Sequence, residues 1–287
     1  MIKSNSIDEA CADAADLISQ ADGILITAGA GLGIDSGLPD FRGENGFWTA
    51  YPALGKLGMN FTTIANPRAF KTHPRLAWGF YGHRLQLYRE TIPHEGFYRL
   101  LNLSKQMPNG ARIFTSNVDG QFVKAGFKTE HVTECHGSIH HMQCTEQCGQ
   151  DVWPAEDFRP EVDVDACMLK SPLPTCPTCG ALARPNILMF GDWAFQGRRY
   201  MVQESRLQAW LARTTRPVVV EIGAGTAIPS VREFGEAIGC PLIRINPSEC
   251  EVVLKRDIGI SIGALDAIRW ITDKQAGFED AGKQCHP

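Results

Sequence analysis

The stretch from residue 23 to residue 31 constrains the fold of this 287-residue chain more than any other. Gly23-Ile-Leu-Ile-Thr-Ala28 is a short apolar run without polar alternation, and glycines follow it at once at positions 29 and 31. A strand that is buried on both faces has this pattern, which is typical of parallel sheets. Because parallel strands need long crossover connections, usually helices, the run predicts an α/β fold.

Further apolar runs alternate with helical patterns along the chain. Ser6 and Glu9 have the spacing of a capping box, and apolar side chains then recur on one face, so residues 7–20 are predicted to form a helix. Further strands are predicted at 111–115, 217–222 and 242–246. This alternation predicts a Rossmann-like, doubly wound parallel sheet.

Two stretches interrupt that rhythm, and we interpret both as insertions. Residues 44–100 are rich in aromatic side chains and predicted to be helical, with Pro74 at a helix start. Residues 139–187 contain paired cysteines and several prolines, and are interpreted as a smaller zinc-binding module. The helical insertion would line a cleft, and residues 276–287 would be a flexible tail. The large domain would then comprise residues 1–43, 101–138 and 188–275.

Composition and charge narrow the class of protein. The chain has 44% hydrophobic and 21% charged residues and a net charge of -4, as expected for an ordinary globular protein rather than a general nucleic-acid binder. No apolar stretch approaches the roughly 20 residues of a membrane span, and the first residues lack the apolar core of a signal peptide. We therefore expect a cytoplasmic protein with no membrane partner and no direct nucleic-acid partner.

Two cysteine pairs have the spacing of zinc knuckles, Cys-x-x-x-Cys and then Cys-x-x-Cys, and a glycine follows each pair. Four thiolates around zinc leave no open position for water, so the metal is predicted to be structural; a redox role is the weaker alternative. The predicted ligands are Cys144, Cys148, Cys176 and Cys179.

The glycines after the first strand permit two interpretations. Glycines at this place let backbone N–H groups approach a pyrophosphate, but Ile34 stands where G-x-G-x-x-G needs its third glycine, so a plain tight turn remains possible. The run continues to Asp40, Phe41 and Arg42, which supply an aromatic cover and a guanidinium that pairs well with phosphate. This continuation favours a ligand site.

Several motifs, taken in order, resemble those of the sirtuins, NAD-dependent protein deacylases. They are the glycine run, Thr115-Ser-Asn-Val-Asp119, Cys135-His-Gly137 and the cysteine pairs, within a resemblance that extends from about residue 24 to residue 271. The resemblance implies a Rossmann-type large domain and a zinc-bearing module, with NAD and an acylated protein or peptide meeting between them. The implied reaction displaces nicotinamide with the acyl oxygen and ends in free lysine and O-acyl-ADP-ribose.

The resemblance also implies a role for each motif. His136 would be the general base that acts on the ribose hydroxyls, and Asn117 would orient the ribose and its water. A structural histidine and an Asn/Asp turn are the alternatives, and the later loops could be plain turns. The implied NAD-binding residues are Gly29, Ala30, Gly31, Asp40, Phe41, Arg42, Ser116, Asn117, Asp119, Gly223, Gly225 and Asn246.

Substrate selectivity is implied by two further segments. Tyr81 and Arg84 are three residues apart in the predicted helix, as in the Tyr-x-x-Arg pair of sirtuins that prefer succinyl-, malonyl- or glutaryl-lysine. An acidic acyl tail needs a cation and a hydroxyl donor; a surface arginine is the alternative. Phe190 and Gly191 lie in a segment that resembles the one that pairs with the substrate peptide as an added strand.

The chain departs from the family pattern at several polar positions. Ser116 replaces a glutamine, Gly33 replaces a serine, and Ala224 and Gly225 replace a Thr-Ser pair. Each lost contact is worth about 0.5–1.5 kcal/mol, enough to weaken NAD binding without abolishing it. Mono-ADP-ribosyl transfer and NAD or ADP-ribose binding without chemistry therefore stay open as alternative functions.

Overall fold

The computed structural model describes the chain at residues 6–39, 47 and 49–283, with side chains through residue 275. Asp40, Phe41 and Arg42 lie outside the described residues. The strands are β1 Gly23–Ala28, β2 Ala111–Thr115, β3 Val132–Glu134, β4 Gly137–Cys144, β5 Trp153–Pro154, β6 Val162–Asp163, β7 Met168–Leu169, β8 Ala183–Ile187, β9 Pro217–Ile222, β10 Leu242–Ile245 and β11 Ile258–Ile260. The α-helices described are α1 Ile7–Ser19, α2 Pro52–Lys56, α3 Phe61–Ile64, α4 Pro67–Thr72, α5 Pro74–Glu90, α6 Glu95–Gln106, α7 Gln121–Lys124, α8 Arg198–Leu211, α9 Ser230–Ala237 and α10 Ala264–Lys283.

Six parallel strands form the main sheet, in the order β11-β10-β9-β1-β2-β3. The first strand is central, and the chain fills one side of it and then the other, which is the doubly wound topology expected from the sequence. The order reverses between β1 and β9. The predicted bounds of β1, β2 and β9 are confirmed, whereas β10 ends one residue earlier and the short edge strands β3 and β11 were missed.

Burial on both faces explains the apolar runs. All six residues of β1 are buried; Ile24 and Ile26 face one hydrophobic cluster with α1, α6 and α10. Leu25 faces the other cluster, with Trp210 of α8. This alternation follows from the two-residue period of a strand. The predicted first helix is confirmed at Ile7–Ser19 with its capping box.

The helical segment and the cysteine module, predicted as two insertions, pack into one unit with a shared hydrophobic cluster. On α5, the Trp78 indole N–H donates to the carbonyl of Ala183 at 2.9 Å. Gly79 allows the backbones to touch, because a Cβ there would lie 2.0 Å from the carbonyl oxygen of Cys167. The chain thus contains a sheet-centred unit and a second unit made from both segments.

Two segments lie differently from the sequence interpretation. Phe97 and Leu100, assigned to the helical insertion, pack with the core of the sheet. The last helix continues to Lys283, so the backbone of the expected flexible tail is helical for most of its length. No helix within the described ranges has both the length and the apolar character needed to cross a membrane.

Candidate active site

Five neighbouring strands of the sheet end at one level. The last residues of β1, β2, β3, β9 and β10 are register partners across the sheet: Ala28 with Thr115 and Ile222, Thr115 with Glu134, and Ile222 with Ile245. The loops that follow therefore emerge side by side at the carboxyl edge, where doubly wound sheets bind ligands. These loops contain the expected NAD-binding and catalytic residues that the structure describes.

The loops after β1 and β9 touch at the point where the strand order reverses. Gly29 N donates to the carbonyl of Ile222 and Gly31 N to that of Gly223, both at 3.0 Å. A Cβ on Gly31 would lie 2.7 Å from the Cα of Gly223, and Gly223 itself has a φ of 62°. The close contact of the two backbones explains why glycine is needed at these positions. That the loops also bind a pyrophosphate stays a prediction.

Asn117 ties the loop after β2 to the loop after β1. Its side-chain Nδ2 donates to the carbonyl of Gly29 at 2.9 Å, and its backbone N–H donates to the hydroxyl of Thr115 at 3.0 Å. Ser116 N donates to the carbonyl of Ala28 at 3.2 Å. No described residue donates a hydrogen bond to the amide oxygen of Asn117, so this oxygen can accept one from a ligand.

Asp119 is a partly buried carboxyl group two residues further on. It accepts a hydrogen bond from Gln121 N at 2.9 Å, and burial raises its pKa to about 6. Its backbone carbonyl accepts a hydrogen bond from His140 Nε2 at 2.8 Å. His140 escaped the sequence analysis, because the register irregularity between Ser138 and Met142 breaks the two-residue period that could have related it to His136.

His136 lies two residues beyond the end of β3, as Asn117 lies two residues beyond the end of β2. These strand ends are paired, so the two residues occupy equivalent places on adjacent loops. Burial lowers the pKa of His136 below its usual 6.5, which keeps the imidazole neutral at pH 7, as a general base requires. Gly137 is required next to it, because a Cβ there would lie 2.1 Å from the carbonyl oxygen of Asn186.

Tyr81 and Arg84 lie on the buried face of α5, and Arg84 is only 7% exposed, which rules out a surface arginine. The hydroxyl that accepts from Arg84 is that of Tyr88, at 3.0 Å from Nε and 2.6 Å from Nη2. The guanidinium also lies 5.2–5.9 Å from the ring centroids of Phe80, Tyr81 and Tyr88. Gln121, whose backbone N–H donates to the Asp119 carboxylate, donates through its side chain to the carbonyl of Tyr88 at 3.4 Å, so this cluster lies near the carboxyl edge.

Phe190 and Gly191 lie on the loop after β8. Phe190 N donates to the carbonyl of Ala65 at 2.9 Å, and its ring, 37% exposed, packs edge-on against Phe61. The loop is held by a buried ion pair between Arg184 and Asp192 at 2.8 Å. This rigid support leaves an exposed aromatic side chain at the surface where a peptide was expected.

Asn246 organises the loops after β9 and β10. Its Nδ2 donates to the carbonyl of Ala224 at 2.9 Å, and its Oδ1 accepts from the backbone N–H groups of Ser248 and Glu249. The loop of Gly223 and Gly225 is thereby fixed to its neighbour. Turn chemistry, the alternative left open from the sequence, accounts for these contacts of Asn246.

The four cysteines predicted as zinc ligands come together: their sulfur atoms all lie within 4.8 Å of one another. Two of the S···S distances are 3.6 Å, close to the edge of about 3.8 Å that a tetrahedron with Zn–S bonds of 2.3 Å requires. The donor set therefore fits a structural zinc ion. His136 precedes β4 and Cys144 ends it, so a whole strand with a register irregularity between Ser138 and Met142 lies between the imidazole and the metal site.

Comparison with known proteins agrees with this arrangement. Residues 29–210 match the Sir2 family. An Aquifex aeolicus protein named NAD-dependent protein deacylase is 27% identical over 253 residues, 87% of this chain and 94% of that protein. A Pyrococcus furiosus protein of the same name is 34% identical over 61% of this chain and 64% of its own length.

Solved structures show the same fold. A Sir2 homologue bound to ADP-ribose superposes with a TM-score of 0.68 at 23% identity, covering 93% of this chain and 97% of that one. A Sir2 homologue bound to NAD gives a TM-score of 0.67 at 23% identity, covering 92% and 93%. With the family match over residues 29–210 and the shared fold, this chain belongs to the Sir2 family.

Proposed function

We propose that this chain is an NAD-dependent protein-lysine deacylase. The observation that carries the proposal is the level carboxyl edge, where the loops bearing Asn117, Asp119 and His136 stand beside the paired glycine loops. A ligand that spans this edge meets backbone, amide, carboxyl and imidazole groups at once. The names of the Sir2-family relatives point to the same chemistry.

The residues at the edge suit distinct tasks toward NAD as co-substrate. Asp119, ionised above its pKa of about 6, would accept hydrogen bonds from the nicotinamide carboxamide. The amide oxygen of Asn117 would accept one from the nicotinamide ribose or its water. His136, neutral because burial lowers its pKa, would take a proton from a ribose hydroxyl. Zinc would stabilise the second unit and take no part in proton transfer.

We further propose that acidic acyl groups are preferred. Arg84 is a buried guanidinium among three aromatic rings, and it donates to Tyr88, whose carbonyl accepts a hydrogen bond from Gln121 next to Asp119. On the other side, Phe80 under the guanidinium packs against Phe61, and Phe61 packs against Phe190. These contacts support an acyl tail that would lie beside Arg84, between the nicotinamide end and the peptide. A carboxylate tail there would gain a charge-assisted hydrogen bond with little water to compete.

One experiment tests both the deacylase activity and the acyl preference. It uses acetyl-, succinyl- and glutaryl-lysine peptides with NAD, followed by mass spectrometry of peptide and nucleotide. His136→Ala should abolish deacylation, whereas the matched variant His131→Ala, on a turn outside the site, should retain it. Arg84→Met should remove the preference for acidic tails while acetyl-lysine is still processed. Transfer of ADP-ribose to protein with the peptides untouched would instead establish the alternative transferase function.

A further inference from the structure

A cavity of about 350 Å³ lies outside the carboxyl edge, between the end of α5, strands β4 and β5, and the segment that follows β5. None of the catalytic or NAD-binding residues proposed above lines it. Its wall consists of four basic side chains, one carboxylate and one proline: Arg89, Arg159, His140, His141, Glu156 and Pro154.

The two guanidinium groups in this wall are oriented by neutral carbonyl groups. Arg89 donates to the carbonyls of Phe158 and Ala155, each at 2.7 Å. Arg159 donates to the carbonyls of Glu156 and Phe158. Within the described residues, neither arginine has a carboxylate oxygen at ion-pair distance. Both guanidinium groups are therefore held by backbone carbonyls rather than by ion pairs among the described residues.

Of the two histidines in the wall, His141 has a ring N–H that no described residue accepts, whereas His140 has already donated its own. His140 donates through Nε2 to the carbonyl of Asp119, which fixes its ring against the cavity. The ring of His141 makes no hydrogen bond to any described residue, and its Nδ1 is among the buried side-chain atoms that lack a partner. Burial, followed by the charges of Arg199 and His140, lowers the pKa of His141 to about 4, so the ring is neutral and can donate one hydrogen bond.

We propose that the cavity bounded by Arg89, Arg159, His140 and His141 is a binding site for a small oxyanion, a phosphate or carboxylate group. Planar guanidinium groups match the geometry of such groups, and a neutral imidazole adds a donor. The volume is at the low end for small-molecule sites, which leaves room for a small organic substituent on the anion. Glu156, an exposed carboxylate in the same wall, opposes the anion and should weaken its binding.

The site borders the proposed catalytic loops through one side chain. A ligand on the cavity side of His140 is separated by that ring from the carbonyl of Asp119. Gly120, which follows Asp119, packs closely against this ring, because a Cβ there would lie 2.8 Å from it. A ligand in the cavity would thus contact His140, whose hydrogen bond fixes the backbone at Asp119.

The test is calorimetric titration of the zinc-loaded full chain with inorganic phosphate and, separately, with succinate, at constant ionic strength and neutral pH. We expect saturable binding of one equivalent of at least one of the two anions. Arg159→Gln should weaken it about tenfold, as expected for loss of a charge-assisted contact. Glu156→Gln should strengthen it. Arg206→Gln removes an exposed arginine outside the cavity and should leave it unchanged. The anion that binds more tightly shows whether the site prefers a phosphate or a carboxylate group.

Three results would overturn the proposal. They are the absence of saturable binding of either anion, equal weakening by the Arg159 and Arg206 variants, and complete displacement of the anion by ADP-ribose with no effect of Arg159→Gln. The last would place the anion at the NAD site. A ¹H–¹⁵N spectrum of the histidine rings gives an independent readout, because bound anion should shift the His141 resonances and spare those of His131.

Discussion

The contact between the loops after β1 and β9 can be tested with three glycine-to-alanine variants that separate steric clash from backbone strain. Gly31 has an ordinary φ, but a Cβ there would lie 2.7 Å from Gly223. Gly239 has a φ of 73° and open space around its Cβ position. Gly223 combines a φ of 62° with a Cβ position 2.4 Å from Leu32 N. Alanine would thus meet a steric clash alone at position 31, backbone strain alone at position 239, and both at position 223.

The expected losses of unfolding free energy follow from these contacts. The strain at Gly239 costs about 1–2 kcal/mol, partly offset by about 0.4–1 kcal/mol from the stiffer unfolded chain, so Gly239→Ala should lose about 1 kcal/mol. Overpacking against backbone costs about 1–3 kcal/mol, so Gly31→Ala should lose about 2 kcal/mol. Gly223→Ala should lose about 3 kcal/mol or more, because both costs apply.

Urea denaturation of the zinc-loaded variants measures these losses, and calorimetry measures NAD affinity. Gly31→Ala and Gly223→Ala should weaken NAD binding at least tenfold, since the loops at the reversal point must separate, whereas Gly239→Ala should bind NAD like the unchanged protein. If Gly31→Ala is no less stable than Gly239→Ala and binds NAD normally, the loops part without cost and our reading of this edge is wrong.

Three further predictions concern the metal, the buried ion pair and the site carboxyl. Zinc analysis should find one equivalent; Cys176→Ser should lose it and lower the melting temperature, while Cys240→Ser, outside the cluster, should keep it. Asp192→Ala should cost about 3–5 kcal/mol of unfolding free energy, because Arg184 is left buried without its partner. Adding Arg184→Met to this variant should recover part of the loss. Equal stability of the unchanged protein, the single variant and the double variant would contradict this. The Asp119 carboxyl is ionised above its pKa of about 6, so calorimetric NAD affinity should fall as the pH drops through 6, and Asp119→Asn should flatten that dependence.

Local patterns were sufficient for much of the fold. The apolar run of β1 and the capping box of α1 depend on neighbours in sequence, so their bounds could be predicted closely. The cysteine spacing likewise predicted the four-sulfur cluster, because zinc knuckles are made from short segments. Edge strand β3 carries only three residues, and its pairing with β2 is a long-range contact, so no local signal revealed it.

The sequence proposed residues for the site but could not give their contacts. Motif order pointed to Asn117 and His136, yet the paired ends of β2 and β3 that put them on adjacent loops follow from sheet register. The spacing of Tyr81 and Arg84 suggested that they act together, whereas the fold gives Arg84 the hydroxyl of Tyr88, one helical turn on, as its hydrogen-bond acceptor.

The sequence by itself predicted the class of fold, the four-cysteine cluster and the motifs at the ends of the strands, since each prediction rests on short local patterns. Tertiary structure decided which loops touch, that two separate segments share one core, and that four basic side chains surround a cavity beside Asp119. These features arise where segments distant in sequence meet. Their burial, their charge and their pKa values are properties of the neighbours that folding provides, and no local pattern encodes them.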